Sequence, residues 1–176
     1  MARTKVDKNS PEYLERKVST GRATLLMILL FTLVNLVFLM ADFGTYFLFS
    51  ASVPYYLTVF CLLMEGWNPA GPMVLAALVV SAVILAVYLM CWILSKKGSG
   101  WMITATVLFI LDTVALIPAS FLLLEKPMGN MMDLVFHIWA IVELIQAAVS
   151  ARKLKTLEQQ QMDVPANLHY TNPENF

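Results

Sequence analysis

Long apolar runs separated by short polar breaks dominate the pattern of this chain. A polar stretch over residues 1–20 gives way to an apolar run over 21–41, and three more follow at 72–95, 101–124 and 131–151. At 1.5 Å per residue, a helix of about 20 residues crosses a ~30 Å hydrocarbon core. Each run reaches that length, so an all-α integral membrane protein with a four-transmembrane-helix bundle is predicted. Ser10-Pro11-Glu12 supplies a capping hydroxyl, a proline at the first helical position and an acid in the first turn, so a short interfacial helix is expected there, leading directly into the first span. The breaks at 96–100 and 125–130 are short, which makes successive spans antiparallel neighbours. Past Arg152 the last helix is expected to continue for two or three turns, before a Pro- and Asn-containing end, 164–176, that reads as disordered.

Residues 43–67 are apolar but follow a different pattern. They are crowded with aromatics, among them Tyr46, Phe49, Tyr55, Tyr56 and Trp67. Tyrosine and tryptophan favour the headgroup level, where the ring is dry and the polar tip is wet. Ser50, Ser52 and Pro54 together suggest a helix start, and the helix that follows to Met64 would be about 18 Å long, short of a full crossing. An extra interfacial or re-entrant helix after the first span is therefore expected.

Composition agrees with a lipid environment: 59% of the 176 residues are hydrophobic and 14% charged, with a mean hydropathy of +0.71. The formal net charge is zero, which gives no reason to expect a nucleic-acid partner. The charges are nevertheless distributed unevenly. With four spans, eleven of the twelve Lys and Arg residues share one side with both termini, including Arg22, Lys96, Lys97, Arg152, Lys153 and Lys155; Lys126 is left opposite. A fifth span would move the 96–97 and 152–155 clusters across, against the positive-inside bias. The expected division is a cytoplasmic segment 1–20, a membrane domain 21–151 with a membrane-associated element at 43–67, and a cytoplasmic tail 152–176, in a plasma or cytoplasmic membrane. The first apolar run is too long for a signal-peptide core and is expected to be retained. Cys61 and Cys91 form no Cys-x-x-Cys pair, so they read as small packing residues.

Polar side chains at membrane depth are costly, about 2.5–3.5 kcal/mol for a charge at the centre of a span, and so mark candidate chemistry. Counted from the basic ends of the spans, Asn35, His137 and Ser81 lie about 21 Å in, Asp112 about 16 Å and Glu143 about 12 Å, a slab roughly 10 Å thick. Glu143 lies on the stripe Ala140, Ala147, Ser150 with Gln146 one turn away, and Asp112 on the stripe Ala105, Ala115, Ala119, with Thr106, Thr113 and Ser120 in a row beside it. Small residues at this spacing let helix backbones approach closely. Asp112 and Glu143 are thus expected to face each other across neighbouring spans and to share a proton or hold a cation, with His137 and Asn35 as further ion- or proton-binding candidates. Ser81, Thr113 and Gln146 would be the supporting polar groups. His137 sits roughly 120° round the helix from Glu143 and one turn from Asp133, so an Asp133–His137 pair is its plainer reading, and interhelical hydrogen bonding is that of Asn35.

The slab is too poor in His and Cys for a transition-metal site, and no phosphate-binding, dinucleotide or nucleophile motif names a cofactor or a catalytic residue. The expectation is a small proton- or cation-coupled transporter or transporter subunit, acting as a homo-oligomer or with a partner membrane subunit. The alternative is a non-catalytic accessory, assembly or scaffold protein in which the acids join helices. A membrane enzyme is least favoured.

Overall fold

The computed structural model describes residues 7–123 and 127–163. Five helices follow in order: α1 Pro11–Met40, α2 Ser52–Met64, α3 Pro72–Leu94, α4 Ser99–Leu123 and α5 Pro127–Asp163. Four of these, α1, α3, α4 and α5, are long and apolar enough to cross a membrane, and α2 is a shorter apolar helix. No strand occurs among the described residues.

The helix ends follow local chemistry. Ser10 caps α1, its Oγ accepting from Tyr13 N at 3.4 Å, with Pro11 at the first helical position. The helix then runs without a break from the polar segment through the first apolar run. It closes with Asp42 in the left-handed region (φ +56°), where Phe43 N donates to Phe38 O at 2.9 Å. Asp tolerates that conformation better than most residues. Helix α2 closes the same way, with Gly66 at φ +62° and Trp67 N donating to Leu62 O at 2.7 Å. Pro72 opens α3, and its next two N–H groups, Met73 N and Val74 N, donate to the Glu65 carboxylate at 2.8 and 3.1 Å.

The last helix begins at Pro127, inside the expected break at 125–130. The continuation past Arg152 extends to Asp163. Lys126, Glu125 and residues 164–176, which carried expectations above, lie outside the described residues, as do the side chains of Ala119 and Ser120.

Helix α1 packs on α5 and α3, and α4 packs on the same two helices, so the four long helices form a closed ring. Helix α2 packs against α3, α4 and α1. One apolar core joins Leu25, Ile28, Met102, Phe109, Leu144 and Ala147, and a second joins Cys61 and Leu62 of α2 to Val74 and Ala77 of α3. The α1/α5 contact is close: a Cβ on Gly21 would overlap the Ala147 side chain. This uses the small-residue stripe of α5 read from the sequence. Outward-facing Val79, Val83, Leu111, Val114 and Ile138 remain exposed, as an apolar bundle presents to lipid.

Candidate functional site

Between α1 and α2 the chain leaves helical geometry, and its polar backbone groups must find partners elsewhere. Two side chains one turn apart on α1 provide them. The Asn35 amide bridges the segment: Phe47 N donates to its Oδ1 at 2.8 Å, and its Nδ2 donates to Phe47 O at 2.7 Å and to Ser50 Oγ at 2.9 Å. Thr32 Oγ1 accepts from Ala51 N at 2.7 Å while donating to Ile28 O at 2.6 Å. Asn35 therefore joins α1 to the following segment rather than to another long helix. Phe49, in the left-handed region at φ +71°, sets its ring against Phe136 and Trp139 of α5.

This placement brings the first turn of α2 to the middle of α4. Ser52 N donates to Asp112 Oδ2 at 2.7 Å and Val53 N to Oδ1 at 2.8 Å. A carboxylate aimed at a helix N-terminus satisfies donors that the helix itself cannot, and it meets the positive end of the dipole. Asp112 is 5% exposed, and His137 beside it is fully buried. His137 Nε2 lies 3.0 Å from Ser52 Oγ and 3.7 Å from Asp112 Oδ2. Its Nδ1 lies 2.9 Å from the carbonyl oxygen of Asp133 and 3.4 Å from Asp133 Oδ1. A carbonyl only accepts, so Nδ1 carries a proton; in the neutral ring, Nε2 then accepts from the Ser52 hydroxyl. The Phe109 ring stacks on the imidazole at 5.0 Å and 6°. On the far side, Tyr46 OH donates to Asp133 Oδ2 at 2.7 Å, and Asp133 Oδ1 is buried without a hydrogen bond.

The result is a continuous polar cluster, Tyr46–Asp133–His137–Ser52–Asp112, with two carboxylates flanking one imidazole. Among the described residues no Lys or Arg forms an ion pair with either acid. Asp112 also lines a groove of about 270 Å³ whose other walls are apolar, formed by Val53, Val83, Val87 and Leu111 together with Tyr88.

The two acids expected to face each other have different partners. Glu143 meets Lys17 of α1, Oε2 to Nζ 3.9 Å, and its helix turn faces Gly21 rather than α4. His137 occupies the place beside Asp112 that was expected for Glu143, and it keeps the expected Asp133 neighbour as well. Ser81 Oγ donates to Pro54 O at 3.3 Å, which ties α3 to the first turn of α2. Thr113 Oγ1 turns back to Phe109 O at 2.8 Å, and Gln146 is half-buried on α5. Tyr46, Ser52 and Thr32 went unnamed as site residues in the sequence reading. The i, i+4 pair Asp133/His137 and the i, i+3 pair Thr32/Asn35 were the available signals. Among the described residues no group of three or more His, Cys, Asp or Glu is arranged to hold a metal ion.

No family model, curated protein or solved structure matches this chain.

Proposed function

We propose that the protein is a small proton-coupled membrane transporter or transporter subunit in which Asp112, His137 and Asp133 take up and pass protons. The observation that carries this reading is His137, fully buried between two carboxylates. Ionisable groups at membrane depth with fewer counter-charges than charges must hold protons or a cation. Protonation at His137 Nε2 turns the Ser52 contact around and adds attraction to Asp112, 3.7 Å away. A proton arriving at Nε2 from the Ser52–Asp112 side can thereby alter the hold on the first turn of α2. Asn35 fixes the segment that brings that turn in, and Glu143 with Lys17 forms a separate station nearer the basic end.

In this reading both termini are cytoplasmic, following the Lys and Arg bias, and 43–67 is a re-entrant element entering from the opposite face. The 13-residue length of α2 supports that, as do the buried side chains that satisfy backbone groups of residues 47–53, since irregular backbone at depth is tolerated only where protein covers it. The working unit is a homo-oligomer or a complex with a partner membrane subunit.

A second reading has a specific observation in its favour: both Asp112 oxygens accept from α2 backbone N–H groups, as helix-joining glue in a scaffold would. Proton flux into proteoliposomes under an imposed pH gradient separates the two. A transporter loses flux in Asp112→Asn and His137→Gln while staying folded, and retains most of it in Glu143→Gln. A parent protein with no pH-dependent flux would leave the scaffold reading.

A further inference from the structure

At the basic end of the bundle, the loop joining α3 to α4 meets the extension of α5 around a pocket of about 210 Å³. Lys96, Lys97 and Lys155 line it, Glu158 shares the lining, and Val18 and Leu154 supply an apolar wall. Among the described residues none of the three lysines forms an ion pair. The loop is held in place from below. Arg22 Nε donates to Ser95 Oγ at 3.0 Å and its guanidinium lies 5.5 Å over the Trp92 ring. Ser95 Oγ in turn donates to Trp92 O at 2.7 Å. One basic side chain is therefore committed to fixing the end of α3, and the next two along the chain are left over the pocket. Gly98 and Ser99 belong to that lining, and a Cβ at Gly98 would meet nothing within 4 Å, so the backbone there is open to close approach.

We infer that this pocket binds the phosphate of an anionic membrane lipid. The chemistry required is a compact anion for three ammonium groups that outnumber the one carboxylate of Glu158, carried on an apolar body that lies along Val18 and Leu154. The pocket sits where α3 ends and α4 begins, at the level where a span emerges from the hydrocarbon. Basic residues at that level attract anionic headgroups, and the attraction falls off within a Debye length. Three lysines converging on one pocket would turn that general attraction into a stoichiometric site. This inference stands apart from the proton-handling reading, because it uses none of the residues of the buried cluster.

The test is native mass spectrometry of the purified full-length chain in detergent, titrated with phosphatidylglycerol and, in parallel, with phosphatidylcholine. The parent should retain one phosphatidylglycerol with clear preference over phosphatidylcholine. Lys96→Gln/Lys97→Gln/Lys155→Gln should weaken that adduct by about tenfold or more. Arg16→Gln/Arg152→Gln/Lys153→Gln removes the same charge from neighbouring exposed positions and should leave it within about twofold. Replacing the three pocket lysines by arginine should preserve binding, and a circular dichroism spectrum matching the parent shows that each variant is folded. Equal losses in both glutamine variants would reduce the effect to diffuse electrostatics and overturn the site. Displacement of the lipid by millimolar inorganic phosphate would overturn the lipid assignment in favour of a free anion.

Discussion

Two carboxylates in this molecule do the same local job in opposite surroundings. Glu65 accepts from Met73 N and Val74 N at the start of α3, and Asp112 accepts from Ser52 N and Val53 N at the start of α2. The Glu65 bonds join residues eight and nine positions apart in an exposed to part-buried turn. The Asp112 bonds join residues 59 and 60 apart in a buried to part-buried setting, with His137 beside Oδ2. Near water, a carboxylate on a helix start is a cap, worth about 1 kcal/mol, and a lost bond is replaced by solvent. In the bundle interior no solvent takes over, so the same contact helps to place α2 and carries a titratable partner with it. The same pattern of hydrogen bonds thus serves a turn in one place and a candidate proton site in the other.

The largest expected effect follows from removing the buried carboxylate. Asp112→Ala leaves the Ser52 and Val53 N–H groups without their acceptor and removes the carboxylate beside His137, a loss of about 3–5 kcal/mol. Asp112→Asn keeps one acceptor oxygen and should cost about 1–3 kcal/mol. Apparent unfolding temperatures in one detergent should rank the alanine variant lowest and the asparagine variant between it and the parent. Equal behaviour of the two would show that the second N–H bond contributes nothing.

Asn35→Ala comes next. It removes three hydrogen bonds at once and strands both the N–H and the C=O of Phe47, an expected loss of about 2–4 kcal/mol. The segment before α2 should then open. In a background with Cys61 and Cys91 replaced, Phe47→Cys should react faster with an impermeant thiol reagent when Asn35 is alanine. Unchanged labelling would mean that Asp112 alone positions the segment.

Much of the fold was legible because helix ends and span lengths are local properties. Ser10-Pro11, Pro72 and the break at 96–100 announced their helices directly, and Ser52 to Met64 was visible as a short element by its length and its serines. The site was only partly legible. Counting residues along each span put Asp112 and His137 in one slab, but depth is one coordinate and rotation about the helix is another. The small-residue stripe of α5 does face a neighbour, and that neighbour is α1 through Gly21, which takes Glu143 away from α4. His137, on a different face, is the residue that reaches Asp112. The bond from Asp112 to α2 spans about a third of the chain, and no local pattern encodes it.

A pure packing contact calibrates these polar effects. Gly21→Ala drives a Cβ into the Ala147 side chain and should force α1 and α5 apart, at about 1–3 kcal/mol. Ala147→Gly in the same chain vacates the space and should recover most of the unfolding temperature. A double variant no better than Gly21→Ala would show that the cost arises elsewhere, the Glu143 carbonyl being the next group in reach. In either outcome the loss should fall below that of Asp112→Ala, because helices that separate slightly bury no unsatisfied donor.

The smallest effect is expected where the comparison began. Glu65→Ala removes the acceptor of Met73 N and Val74 N, yet both belong to the first turn of α3, at a loop that water reaches. Solvent can replace the carboxylate there, so the loss should be about 1 kcal/mol or less. Glu65→Gln retains one acceptor but forfeits the charge at the dipole, and should fall between alanine and the parent. The carboxylate also fills the space beside Gly71, so its truncation removes some packing along with two hydrogen bonds. Apparent unfolding temperature again reads the effect, and proton flux in proteoliposomes should be unchanged in both variants. A Glu65→Ala loss as large as that of Asp112→Ala would break the comparison outright, since burial could then no longer be what separates a cap from a site.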